Sequence, residues 1–352
     1  MTLTSNIKVG IEDSFNAQAD ENLTGITSAL QPKLVVQAFR QLKIFAKTNT
    51  SYKLLSIRVL RYKPNKRCLL EYCFGRDAPA YEHFTPLILL GKIRASRSGK
   101  KEYRQQRQLQ EHGFADTAAN PISVPDTLAH IPSLNMWLQR KVAGTTLTSL
   151  LQSPRSIALM PRIAEAAWKI HNTPLQLPFT HSVDDALAQL QQRMLQLYQT
   201  APQLERRIAP LLKKATLTAL AIQKQPYRTI HRDYYADQII VSPDKSRIFI
   251  VDNDIICNGN PTLDIGNFNA HLIEYSIRHL NHPNALTQCQ QQFVNRYVAL
   301  SGEQSLYPIQ VYTYLTLLRH ISISYQMPER KRCTNTIIET CETFWHKSTQ
   351  QF

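Results

Sequence analysis

The sequence predicts an α+β protein whose strands come first and whose helices follow. Two observations carry that prediction. Apolar residues alternate with period two in several runs up to about residue 142, and most later runs repeat at helical spacing. A third observation refines it: one short pair of strands, near residues 230–253, interrupts the helical part.

The elements follow in order. Residues 1–30 are polar and weakly patterned and read as an arm. "LQPKLVVQAFRQL" has helical spacing, and "LLSIRVLRY" (54–62) places Leu55, Ile57 and Val59 on one face of a strand. "KPNK" is a turn and "RCLLEYCF" a second strand, which makes a hairpin. "PLILLGKIRA" (86–95) is a third strand, "KKEYRQQRQLQEHGF" a helix, and "LNMWLQRKV" (134–142) a further strand. Beyond it "PRIAEAAWKIHN", "VDDALAQLQQRMLQLYQ" and "LERRIAPLLKKATLTALAIQ" are helical, with Leu187, Leu190, Met194 and Leu197 on one core-facing stripe. Helices resume at "FNAHLIEYSIRHL". The expected organisation is an arm (1–30), a strand-rich lobe (31–142) and a helical lobe (143–352), with a ligand expected in a cleft between unlike lobes.

Composition narrows the function classes. The chain has 352 residues, a net charge of +15 and mean hydropathy of −0.31, as expected of a soluble protein. No apolar run approaches the roughly 20 residues of a membrane span, and the start lacks a secretory pattern. The six scattered cysteines form no Cys-x-x-Cys pair, which argues for free thiols, a cytoplasmic location and no zinc. The densest basic stretch, residues 94–107, lacks interleaved aromatics and reads as a solvated helix face, which argues against nucleic acid.

The chemistry concentrates in "TIHRDYYADQIIV" (229–241) and "IFIVDND" (248–254). Phosphoryl transfer needs a carboxylate near the acceptor hydroxyl, hard oxygen ligands for Mg²⁺, and a lysine against the nucleotide phosphates. Asp233 suits the first role, though acids also cap turns. Gln238 and Asp252 suit the second, because a hairpin brings their strand ends together. Lys92, inside an apolar strand, suits the third. Glu102, in the first turn of the next helix, is a candidate partner for Lys92; the acid equally suits a helix N-terminus.

These stretches resemble the catalytic core of the aminoglycoside phosphotransferase and choline kinase-like superfamily. "HRDYYADQIIV…IFIVDND" matches its His-Arg-Asp loop and metal-binding acid, and "GNPTLDIGNF" matches the segment that follows. "RYKPNKRCLLEY", "LLGKIRA", "WLQRKVAGTTL" and "AWKIHN" match the nucleotide hairpin, lysine strand, hinge strand and following helix, in order over roughly residues 50–280. The resemblance implies a two-lobed protein kinase-like fold. It implies ATP or GTP with Mg²⁺, and transfer to a hydroxyl of a small molecule. It further implies Leu138 and Arg140 beside the nucleotide, and His231 and Asp264 as braces of the loop.

Three positions depart from the pattern. Gln238 stands where the family usually has Asn, as in a subgroup with a His-Arg-Asp-x-x-x-x-Gln loop. The hairpin turn has no glycine, and the second acid of the metal motif falls to Asp254. Gln238 and the glycine-free turn leave a second reading open, an inactive nucleotide-binding scaffold. The net charge alone motivates a third, a nucleic-acid-binding protein. The positive balance suits an anionic or neutral acceptor better than a polycationic one.

Overall fold

The hairpin of "LLSIRVLRY" and "RCLLEYCF" supplies the second and third strands of a six-stranded sheet in the computed structural model of the chain. The structure describes residues 9–45, 52–76, 85–95, 99–117, 119–222 and 226–346, and the backbone of 46 and 347–351. Residues 1–8 of the expected arm and 96–98 of the basic stretch lie outside the described residues. The chain divides into two units, Met1–Ala143 and Gly144–Phe352.

Unit 1 contains β1 (Gly10–Glu12), α1 (Ile26–Ala29), α2 (Pro32–Phe39), α3 (Lys43–Ala46), β2 (Tyr52–Lys63), β3 (Arg67–Arg76) and β4 (Leu87–Arg94). It continues with α4 (Lys100–Leu109), β5 (Ile122–Ser123), β6 (Thr127–Ile131) and β7 (Met136–Arg140). The sheet order is β1-β2-β3-β4-β7-β6, with only β1–β2 parallel. Two local readings differ from expectation. A β-bulge between Leu54 and Ser56 shifts the register, so Leu54, Ile57 and Val59 are buried while Leu55 faces solvent.

The described part of the arm packs onto the sheet instead of trailing from it. Gly10 pairs with Ser56, and Ala17, Leu23, Ile26, Ala29 and Leu30 join the unit's core. Asp20 accepts from the Asn65 amide (2.7 Å) and the Tyr62 hydroxyl (3.0 Å), and so braces the glycine-free "KPNK" turn. The basic residues of α4 behave as a solvated face: Lys100, Lys101, Arg104 and Arg107 are exposed while Glu102, Gln105, Gln106 and Leu109 are buried.

Unit 2 contains β8 (Thr145–Thr146), α5 (Leu147–Leu150), α6 (Ser156–His171), β9 (Thr180–His181), α7 (Val183–Thr200) and α8 (Glu205–Leu220). Four short strands follow: β10 (Arg228–Ile230), β11 (Ile239–Val241), β12 (Ile248–Ile250) and β13 (Cys257–Gly259). The helices α9 (Thr262–Leu280), α10 (Thr287–Ser301), α11 (Leu306–Gln326) and α12 (Thr334–Gln351) complete it. β11 pairs antiparallel with β12 and β8, and β13 lies between β10 and β9. The α7 stripe of Leu187, Leu190, Met194 and Leu197 is buried against α8, α9 and α11. All six cysteines are free, and no helix among the described residues is long and apolar enough to cross a membrane.

The packing of α9 on α11 depends on Gly266. A Cβ there would lie 2.5 Å from Tyr312 Cβ and 2.6 Å from the Thr313 nitrogen, so the helices touch backbone to backbone. Alanine would add about 1 kcal/mol of helix propensity. The clash outweighs it, because the atoms in the way are main chain and a Cβ, which no rotamer change moves aside. Gly266→Ala is therefore expected to destabilise the protein by roughly 1–3 kcal/mol, measured by urea or thermal unfolding; a higher midpoint would contradict the close approach.

Candidate active site

The candidate site starts from the loop that leaves β10. Asp264, in the first turn of α9, is fully buried and accepts the His231 amide on Oδ2 (2.7 Å) and the Arg232 amide on Oδ1 (2.7 Å). His171, at the end of α6, donates from Nε2 to Asp264 Oδ2 (3.0 Å), and its Nδ1 meets the Tyr297 hydroxyl (2.8 Å). A carboxylate at a helix N-terminus also gains from the helix dipole. His231 Nε2 donates to the Val251 carbonyl (3.0 Å), which ties the loop to the strand leading into Asp252. Asn267 donates to the Tyr234 carbonyl (3.0 Å), and the Tyr234 hydroxyl donates to the Ile163 carbonyl (2.8 Å). His231 and Asp264 are thus both part of the bonding that holds this loop.

This clamping holds two residues in the left-handed backbone region: Arg232 with φ of 70° and Asp252 with φ of 58°. Such conformations cost on the order of 1 kcal/mol and persist where surrounding bonds enforce them. At Arg232 the enforcing bond is its own amide to Asp264.

Asp233 follows and lines a cavity of about 320 Å³ built wholly from unit 2, on α7, α9, α11 and the loops beside them. Burial lifts its carboxyl above the ordinary range. The charges of His231 and Arg319 oppose that rise, and those of Asp252 and Asp264 add to it. A partly buried carboxylate with a raised pKa, facing a cavity, can receive a proton from a bound hydroxyl.

Gln238 closes a 3₁₀ turn (Ala236–Gln238), and its carbonyl accepts the Val251 amide (2.9 Å), one step beyond the Ile239↔Ile250 pair. This ladder brings Gln238 beside Val251, next to Asp252, as the hairpin expectation required. An amide oxygen and a carboxylate are both hard oxygen donors and fit Mg²⁺. Asp254 is buried in the short 3₁₀ turn that follows. Of the two tyrosines after Asp233, Tyr234 is core, and Tyr235 stacks on His271 at 4.3 Å between centroids.

In unit 1, Lys92 pairs in register with Trp137 of β7, and its Nζ lies 4.7 Å from the Trp137 ring centroid. Trp137 is itself wedged against Gly99, whose φ of 73° opens α4 and where a Cβ would come within 2.7 Å of the ring. Strand alternation puts Arg94 on the same face as Lys92. Arg94 Nε lies 3.6 Å from the fully buried Glu102 carboxylate. Leu138 is buried in the core of unit 1. Arg140 donates its amide to the Asp126 carbonyl (2.8 Å) and lies 3.8 Å from the Asp126 carboxylate.

Sequence reading missed the rest of the cavity wall: His181, Arg193, Asn267 and Arg319. One signal was present. Arg319 is a lone cation in "VYTYLTLLRHISIS", a run otherwise uncharged along a helix whose residues are mostly buried.

A search of curated proteins finds no match. Among solved structures, the chain resembles a choline/ethanolamine kinase family protein from Mesorhizobium loti, with 14% identity, TM-score 0.54, and 90% of this chain and 95% of that one covered. It also resembles a thermostable mutant of aminoglycoside phosphotransferase APH(4)-Ia in a ternary complex with ADP and hygromycin B. There the identity is 15% and the TM-score 0.56, with 91% of this chain and 98% of that one covered. At such identities the likeness is one of fold, an α+β protein kinase-like fold. The family model of the phosphotransferase enzymes, APH, matches residues 90–282, more than half of the chain, and the chain belongs to that family.

Proposed function

We propose that this protein moves the γ-phosphate of ATP or GTP to a hydroxyl group of a small molecule, using Mg²⁺. The observation that carries the reading is Asp233: a carboxylate of raised pKa, on a loop clamped by Asp264, facing a cavity of small-molecule size. Asp233 orients the acceptor hydroxyl and takes its proton. Transfer is largely dissociative, so proton removal comes late and most of the catalysis lies in positioning and charge neutralisation.

Gln238 Oε1 and the Asp252 carboxylate are the groups that would hold Mg²⁺, which would neutralise charge on the phosphates. Lys92 is assigned to the nucleotide phosphates, held in place by its contact with Trp137. Glu102 is assigned to support of the lysine strand through Arg94. Leu138 is packed into the core, so any contribution of its strand to adenine binding comes through the main chain. The ADP in the APH(4)-Ia complex supports an adenine nucleotide as donor.

Substitutions at three residues test the assignment. Asp233→Asn keeps shape but removes charge and basicity, so kcat should fall by about 10²- to 10⁴-fold, with MgATP affinity nearly unchanged. A wild-type rate in that variant would remove Asp233 as the base. If the wild type binds MgATP but none of the acceptors tried gives acceptor-dependent ADP, the inactive nucleotide-binding reading takes over.

Asp252→Ala should abolish the thermal stabilisation that MgATP gives the wild type while the unliganded melting temperature stays close to wild type. An unchanged MgATP shift would sink the metal assignment. Gln238→Asn preserves the oxygen donor and should keep measurable activity, whereas Gln238→Leu should lose most of it; equal rates in the Leu variant and the wild type would make Gln238 structural.

A further inference from the structure

The cavity beside Asp233 has a charge balance opposite to that needed for a cationic acceptor. Of the fourteen residues lining it, three are arginines (Arg193, Arg232 and Arg319) and one, Asp233, is an acid. Each arginine comes from a different element: Arg193 from α7, Arg232 from the catalytic loop and Arg319 from α11. Two of the acids that act on residues of the wall are bound locally. Asp185 forms a capping box with Ser182, accepting its amide and hydroxyl at 2.8 Å each, and Asp264 is occupied by His231, Arg232 and His171.

One acid in the wall, Asp233, does not balance three guanidiniums. Arg319 donates through Nη2 to Asn267 Oδ1 (2.8 Å), a neutral acceptor, and its Nε is buried without a hydrogen-bond partner. Arg232 lies over the Phe179 ring at 5.4 Å, which orients its guanidinium and leaves its charge in place. Burial lowers the pKa of Arg319; Asp233 opposes this, and Arg193 and Arg232 push it further down, so the three cations strain against one another. His181, also in the wall, has a buried Nδ1 without a partner, and burial and Arg232 hold its pKa down. Uncompensated guanidinium charge in a partly desolvated cavity is costly unless an anion completes it, and the planar guanidinium fork suits carboxylate or phosphate oxygens.

We propose that the acceptor is a hydroxyl compound, about the size of one sugar ring, that itself carries an anionic group, a carboxylate or a phosphate, held by Arg193 and Arg319. This rests on the phosphotransferase reading and names its substrate class. Arg232, adjacent to Asp233, lies closest to the reacting hydroxyl, while the other two hold the acid. The acceptor hydroxyl oxygen bonds to the γ-phosphorus of ATP as the bond from that phosphorus to the β–γ bridging oxygen breaks. ADP leaves with the electron pair, and the hydroxyl proton passes to Asp233. A volume of about 320 Å³ lies at the lower end of small-molecule sites, roughly 300–1,000 Å³, and leaves little space for a multi-ring acceptor.

The test compares D-glucuronate and D-glucose 6-phosphate with D-glucose and D-glucosamine on the full chain at constant ionic strength. Binding is measured by calorimetry without nucleotide, and transfer by acceptor-dependent ADP release with MgATP. At least one anionic sugar is expected to bind ten times more tightly than D-glucose and to give the higher kcat/KM; which one does so distinguishes carboxylate from phosphate. Arg193→Glu, on an exposed helix position with no part in the loop clamp, should weaken the anion at least tenfold while MgATP binding stays unchanged. Arg193→Lys should restore part of it.

Several results would overturn the inference. These are equal or better use of D-glucose or D-glucosamine, an anion affinity indifferent to Arg193→Glu, and an anion that binds beside MgATP without ADP release. Loss of MgATP binding in the wild type is a separate result. It would remove the phosphotransferase reading itself.

Discussion

Asp264 places a carboxylate where no solvent reaches it, and it is tolerated there only because three donors converge on its two oxygens. Two of the donors are successive main-chain amides, so the bond fixes backbone rather than a side-chain rotamer. That is why the residue after them, Asp233, has a defined direction although it begins an irregular segment. The third donor, His171, comes from α6 and connects the loop to Tyr297 of α10. A single carboxylate therefore joins three helices and a strand end, and removing it would strand two amides and an imidazole at once.

The electrostatics of Asp233 follow from that placement. Burial favours its protonated form, and the charges of Asp252 and Asp264 push the same way, while Arg319 and His231 favour the carboxylate. A general base needs both tendencies: ionised before reaction, yet basic enough to accept a proton. A water-exposed aspartate would be ionised but too weakly basic. Arg319, across the cavity wall, counters its charge.

Much of this was legible in the sequence, and the remainder divides by contact range. The loop, the strand pair and the α9 segment lie within about 35 residues, and their residue types are dictated by local chemistry, so Asp233, Gln238, Asp252 and Asp264 could be read in order. The β2 face could not, because the bulge at Leu54–Ser56 breaks the period that alternation assumes. The packed arm could not either: Ala17, Leu23 and Ile26 are too few and too irregularly spaced to form a pattern, and the Asp20 contacts that hold it are long-range. The cavity wall draws on residues from 181 to 319, which no spacing rule connects.

The two ranges correspond to two tasks. Under the proposed function the step of transfer falls to the short segment from His231 to Asp264, whereas the cavity wall that an acceptor would meet is built largely from α7 and α11. On α11, Tyr312, Leu315, Thr316 and Arg319 fall at i, i+3, i+4 and i+7, one helical face turned to the cavity. On α7, Ala186, Gln189, Leu190 and Arg193 repeat the same spacing, so each helix ends its contribution with an arginine. Such a face can change its side chains without disturbing the clamp on the loop, which is how one catalytic frame can serve acceptors of different charge. The coupling between the two tasks runs through Gly266 and Asn267. Gly266 lets α11 approach α9 to backbone contact, and at that distance Asn267 spans from the Tyr234 carbonyl on one side to Arg319 on the other. Arg319 is consequently positioned by the same helix that clamps Asp233, and the spacing between the cation and the carboxylate is set by the absence of one side chain.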